Sequence, residues 1–215
     1  MPTTITTIRG RVRQDLHDED SSAYRWTDAA LDRHILHAVT EYSAYTPLEQ
    51  KSTLTTTAGS RDLSIASLTS IVTVDALEWP VGEYPPRYVP FARWQDTLIL
   101  DTPNKPSGVE NVNVYWTRVH TLDGSTSTIP VAHEEVIATG AAAYAALDWT
   151  SFATNRINTG GEDVWGRYKA FGEARQRDFH RQMARIGRQG MVRMKRLYAT
   201  DAPAPRSQDR VYGPG

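Results

Sequence analysis

Apolar positions along the chain keep three different rhythms. Ile5, Ile8, Val12 and Leu16 lie about one helical turn apart and predict a short amphipathic helix over residues 3–17. A polar run at 18–22 breaks that rhythm. Leu31, Ile35, Ala38, Tyr42 and Tyr45 then recur at spacings of 4, 3, 4 and 3, the seam of a helix over 28–45. Thr27 caps it, Asp28 suits its positive end, Trp26 is placed to staple onto Leu31, and Thr46-Pro47 ends it.

Between 50 and 121 the period becomes that of strands. Residues 51–57 are threonine-rich, 62–65 read as a short strand and 97–101 as a short apolar one, and 71–79 and 111–119 are rich in β-branched and aromatic residues. They predict an antiparallel sheet of four or five strands inserted between helices. Val112, Val114 and Trp116 alternate with Asn111, Asn113, Tyr115 and Thr117, giving one packing face and one that is polar or meets a partner. Residues 79–90 carry four prolines and predict an irregular excursion.

Helical spacing returns at 130–151. Pro130 opens the turn, Glu134 and Glu135 suit its positive end, and the run from Ala141 to Leu147 is apolar on nearly every side. Such a helix is buried, and its small residues admit close neighbours. A polar connector at 151–161 leads to a last helix over 162–197. Val164, Tyr168, Phe171, Phe179, Met183 and Ile186 form one side of it, and Arg177, Arg181, Arg185 and Arg188 another. Gly166, Gly172, Gly187 and Gly190 lie within it and call either for close packing or for a break near 187–190. Residues 199–215 hold Pro203, Pro205 and Pro214 with no periodicity, and on their own predict an extended or disordered arm. The expected fold class is therefore α+β: a bundle of about four helices forming one domain over 1–198, an inserted β region, and a C-terminal arm.

Composition changes this picture only through charge. Apolar and charged fractions of 40% and 23% are those of an ordinary globular chain. Residues 164–198 carry ten Lys or Arg against two acids, a net +8, while the whole chain carries −1, leaving −9 on the remainder. Cysteine is absent, which excludes disulfides, zinc-thiolate sites and thiol catalysis. The N-terminus has no signal-peptide pattern, and no apolar stretch approaches the roughly 20 residues a bilayer requires, so no membrane partner is expected.

Candidate chemistry is sparse. The acids at 18–22 lack the glycine and distal glutamate of a calcium loop and read as a solvated turn. His34, His37 and Glu41 share helical spacing but no fourth ligand is visible, so they read as surface or interface residues. His133-Glu134 lacks the second histidine of a zinc protease motif, Ile137 standing in its place. No nucleophile elbow, phosphate loop or dinucleotide fingerprint occurs. Neither an enzyme nor a cofactor is expected.

The order of elements, with Arg25-Trp26-Thr27-Asp28 opening the second helix and Ile129-Pro130 leading through His133-Glu134-Glu135 into Gly140-Ala141-Ala142-Ala143-Tyr144-Ala145, resembles tailed-phage head-to-tail connector (adaptor or neck) proteins. The resemblance spans residues 3–198. It implies a virion protein assembled in the host cytoplasm, forming a ring, usually of twelve subunits, between the capsid portal and the tail. Such a ring extends the DNA channel and receives the tail or the next neck protein. It also implies that 199–215 is a portal-docking arm, with Pro203, Pro205, Arg206, Arg210, Val211 and Tyr212 as candidate contacts.

For Arg177, Arg181, Arg185 and Arg188 three readings stand. They form a solvated face, with Arg177 partly neutralised by Glu173 and Arg181 by Asp178; they meet acidic surfaces of a neighbouring subunit or the portal; or they line a channel around double-stranded DNA without reading its sequence. A helical DNA-binding protein acting in packaging or regulation is the alternative function, although no recognition helix follows a tight turn.

Overall fold

The computed structural model describes residues 3–153 and 164–198, with side chains described at 3–151 and 164–188. The expected docking arm lies outside these residues. The fold is α+β, as expected, and the described residues form four helices and two small antiparallel sheets.

Helix α1 (Ile5–Asp15) starts at Thr4, whose hydroxyl accepts the Thr7 N–H, and α2 (Asp28–Tyr45) starts at Thr27, whose hydroxyl accepts from Ala30. Their seams, Ile8, Val12 and Leu16 on the first and Leu31, Ile35, Ala38 and Tyr42 on the second, are buried. Tyr45 is not part of the seam. It sits in the last turn of α2, where the bundle ends, and is exposed. After a single 3-10 turn (Val131–His133), α3 (Glu134–Ala153) runs through the middle of the bundle and packs on the other three helices. Ala138, Ala141, Ala142, Ala145 and Ala146 are inaccessible to solvent, as an all-round apolar helix requires. Helix α4 (Val164–Tyr198) is continuous, without a break at Gly187 or Gly190.

Trp26, just before α2, reaches across the bundle. Its indole N–H donates to the Ala145 carbonyl at 3.3 Å, and its ring stands against Trp149 and Tyr168, so it ties α2 to α3 and α4. The acidic run that follows α1 is also not simply solvated. Asp18 is buried, accepting from the Arg25 and Trp26 backbone N–H groups and from Arg13 at 2.6 Å. Arg13, itself buried, also donates to the Trp26 carbonyl and to Asp28. A charge pair at this depth persists because both carboxylate oxygens of Asp18 and both terminal guanidinium nitrogens of Arg13 have hydrogen-bond partners.

The β region differs from a single sheet of four or five strands. Six strands form two three-stranded antiparallel sheets. In the first, β6 (Asn111–Arg118) lies between β1 (Leu48–Thr55) and β3 (Ile71–Glu78); in the second, β5 (Thr97–Leu100) lies between β2 (Asp62–Ser64) and β4 (Phe91–Trp94). Strand β4 has four residues directly after Pro90, too few for a period to emerge. The polar face of β6 is not open either. Asn113 and Thr117 are buried, Asn113 between Thr53 and Glu78, and Thr117 against Thr73.

Two separate hydrophobic cores result. One is helical; the other, built on Leu63, Ile65, Leu77, Leu98, Leu100, Val112, Val114 and Trp116, lies between the sheets. At the junction, the His120 N–H donates to Ser43 at 3.0 Å, and its ring bridges the Thr46 and Thr128 carbonyls.

Candidate functional surface

Helix α4 owes its position to its inner face. Phe179 and Met183 are fully buried against α3. Glycine allows the approach from both sides: a Cβ on Gly140 would meet the Phe179 ring at 2.8 Å, and one on Gly172 would meet Leu147 at 2.8 Å. At Gly187 the helix passes beneath the Tyr45 carbonyl, 3.1 Å from where a Cβ would stand.

Polar contacts fix the rotation of the helix. Arg175 pairs with Asp15 of α1 at 3.2 Å, and His180 lies 3.5 Å from Glu41 of α2. Arg25 lies over the rings of Trp149 and Tyr168, within cation–π range of both, and donates to the Tyr168 hydroxyl.

This rotation turns Arg177, Arg181, Arg185 and Arg188 together into solvent, all four exposed. Arg181 pairs with Asp178, as expected. Glu173 pairs instead with Lys169, at 4.0 Å, and not with Arg177. Arg188 donates to the Ala184 carbonyl of its own helix at 3.2 Å. Among the described residues no carboxylate pairs with Arg177 or Arg185. The stripe thus spans about 17 Å of helix and is largely uncompensated. Pro203, Pro205, Arg206, Arg210, Val211 and Tyr212 lie outside the described residues.

The histidines of α2 separate. His34 is buried beside Asp148, and burial lowers its pKa. His37 stays at the surface, edge-on to Tyr144 and 3.5 Å from Glu41. Glu41 therefore gathers His37, His180 and the Tyr144 hydroxyl where three helices meet, and burial, with the hydrogen bond to Glu41, pushes the Tyr144 pKa up. No group of three or more His, Asp or Glu among the described residues is arranged to hold a metal ion.

A cleft of about 400 Å³ opens between the α1–α2 turn and α4, walled by Trp26, Tyr168 and Phe171. Three of its charged side chains are engaged, Asp15 by Arg175, Asp18 by Arg13 and Arg25 by Tyr168, and Arg167 and Asp20 also line it. Among the described residues no helix is long and apolar enough to cross a membrane.

Sequence reading missed a second surface, the outer side of the second sheet. Trp94 and Ile99 are exposed there, at 74% and 41%. The run Leu98-Ile99-Leu100 is apolar throughout, so which of its residues faces outward becomes legible only once β4 is recognised as a partner.

No family model matches the chain, and no curated protein matches it. Alignments to solved structures include a chain from the neck of an empty gene transfer agent particle computed with C6 symmetry, at 17% identity and a TM-score of 0.28, covering 81% of this chain and 89% of that one. A chain from the virion of the native particle aligns at 18% identity and 0.27, covering 80% and 88%, and one from the native neck computed with C12 symmetry at 17% and 0.27, covering 82% and 94%. TM-scores of 0.27–0.28 do not by themselves establish a common fold.

Proposed function

We propose that this chain is a structural subunit of a virion neck: a head-to-tail connector that assembles as a ring on the portal, extends the DNA channel and carries the docking platform for the tail or the next neck protein. The observation that carries this reading is the pairing of a tightly seated α4 with an outward row of arginines. The inner face is built for rigidity and the outer face for contact, as the wall of an assembly requires. The order of elements that resembles connector proteins supports it, and no catalytic role is proposed. In this reading Ala199 to Gly215 forms the portal-docking arm, with Arg206, Arg210, Val211 and Tyr212 among its contacts.

Imaging the purified chain with and without portal tests the ring directly. A ring with an axial hole is the expected result, and isolated subunits under both conditions would refute it. Removing 199–215 should abolish portal attachment while leaving the helical circular dichroism unchanged; normal attachment by the shortened chain would overturn the docking arm.

The exposed arginines also favour a second reading, a protein that holds duplex DNA through phosphate contacts as a single subunit. That reading requires DNA affinity that falls steeply with salt. Absence of binding at low salt removes it.

A further inference from the structure

We infer that the outer face of the second sheet is the surface on which the α4 arginine stripe of the next copy docks. This inference rests on the ring reading and names the contact that would close the ring.

The register fixes which side chains share that face. Ala92 pairs with Ile99, Trp94 with Thr97, and Asp62 with Ile99 from the other side, and partners in an antiparallel pair project to the same side. The alternate residues Leu63, Leu98 and Leu100 fill the β core. Ala92, Trp94 and Asp62 are therefore turned outward with Ile99, and all four are exposed. Asp96, in the hairpin turn beside Trp94, is exposed as well. Neither the Asp62 nor the Asp96 carboxylate has a hydrogen-bond or ion-pair partner among the described residues.

An open indole with the Asp96 carboxylate in the adjoining turn, and the Asp62 carboxylate on the opposite edge of the same face, is the chemistry that recognises a row of guanidiniums. Tryptophan is the best aromatic face for a cation, and a carboxylate takes the N–H fork. The matching donor row lies on the same chain. Among the described residues Arg177 and Arg185 lack a carboxylate partner, and the stripe's span of about 17 Å is comparable to a three-stranded sheet about 10 Å across and 13 Å along its strands. The two patches are different surfaces, so the contact is head-to-tail, the type that generates rings when the rotation closes. A positive row on one copy and a negative, aromatic patch on the other also oppose like-with-like pairing.

The chain has no cysteine, so introduced thiols report cleanly. Full-length chain carrying both Asp96→Cys and Arg185→Cys, treated with a short bis-maleimide, should give a ladder of covalent multimers, whereas each single variant should stop at dimers. Trp94→Ala, and separately Arg181→Glu with Arg185→Glu, should weaken self-association about tenfold, with circular dichroism unchanged because all these positions are exposed. Combining Arg181→Glu and Arg185→Glu with Asp62→Arg and Asp96→Arg should restore it. Oligomers that form normally in Trp94→Ala and give no ladder in the double-cysteine chain overturn this contact and leave the ring reading intact. A wild-type chain that stays monomeric at its highest soluble concentration, with portal and without, overturns both.

Discussion

Three histidines, His34, His120 and His133, are held below their ordinary pKa of 6.5, each chiefly because burial penalises the charged ring. His120 Nε2 lies 3.0 Å from the Thr46 carbonyl and Nδ1 3.0 Å from the Thr128 carbonyl, and these contacts offset only part of the effect of burial. His133 Nδ1 lies 2.6 Å from the Tyr42 hydroxyl, whose pKa burial pushes up to about 12. Each ring binds a proton more readily unfolded than folded, so the stability they contribute is complete above 6.5 and is lost as the pH falls below that value. Glu78 and Asp28 are held below the usual carboxylate range and titrate at much lower pH, leaving the histidine window separate. Urea unfolding on either side of 6.5 should show a lower midpoint on the acid side, with a smaller drop in His120→Gln. A midpoint that is flat or rises toward acid would refute the assignment.

Among the elements, α3 and α4 meet at a glycine, and Gly140 tests how close that meeting is. Gly140→Ala gains up to about 1 kcal/mol of helix propensity. It also drives a methyl into the Phe179 ring, which is fully buried and has no solvent to swing into. Overpacking of that kind costs about 1–3 kcal/mol, so a net loss near 1 kcal/mol is expected, recovered in part by adding Phe179→Leu. A raised urea midpoint in Gly140→Ala would show the helices to be looser than described. The alanine run and the arginine stripe were legible because helical periodicity is local and long segments average out noise. What was illegible depends on partners distant in sequence. Asp18 is buried only because Arg13 and two backbone N–H groups converge on it. The second sheet hid because β4 is four residues long and its meaning lies in its pairing with β5. The exposure of Ile99 and Trp94 was illegible for the same reason, since it is the pairing with β5 that sets their face.

At the scale of the whole molecule, the β region enters and leaves at one place. Leu48, the first residue of β1, pairs with Arg118, the last of β6, so the two ends of the insertion are neighbours, about 5 Å apart between Cα atoms. The helical core includes no residue of the six strands, and Leu122 and Ile129, which return the chain to α3, belong to it. Cutting the insertion therefore removes neither helical core contacts nor the Arg9–Asp32 and Arg13–Asp18 pairs that bind the α1–α2 corner. A chain in which residues 49–117 are replaced by a short Gly-Ser link should keep its helical circular dichroism and unfold in one cooperative urea transition. It should also lose self-association, because the face carrying Trp94 and Asp62 leaves with the insertion. If the shortened chain has no cooperative transition, the helical core depends on the strands through the His120 junction. If it folds and still assembles, the contact between copies lies on the helices alone.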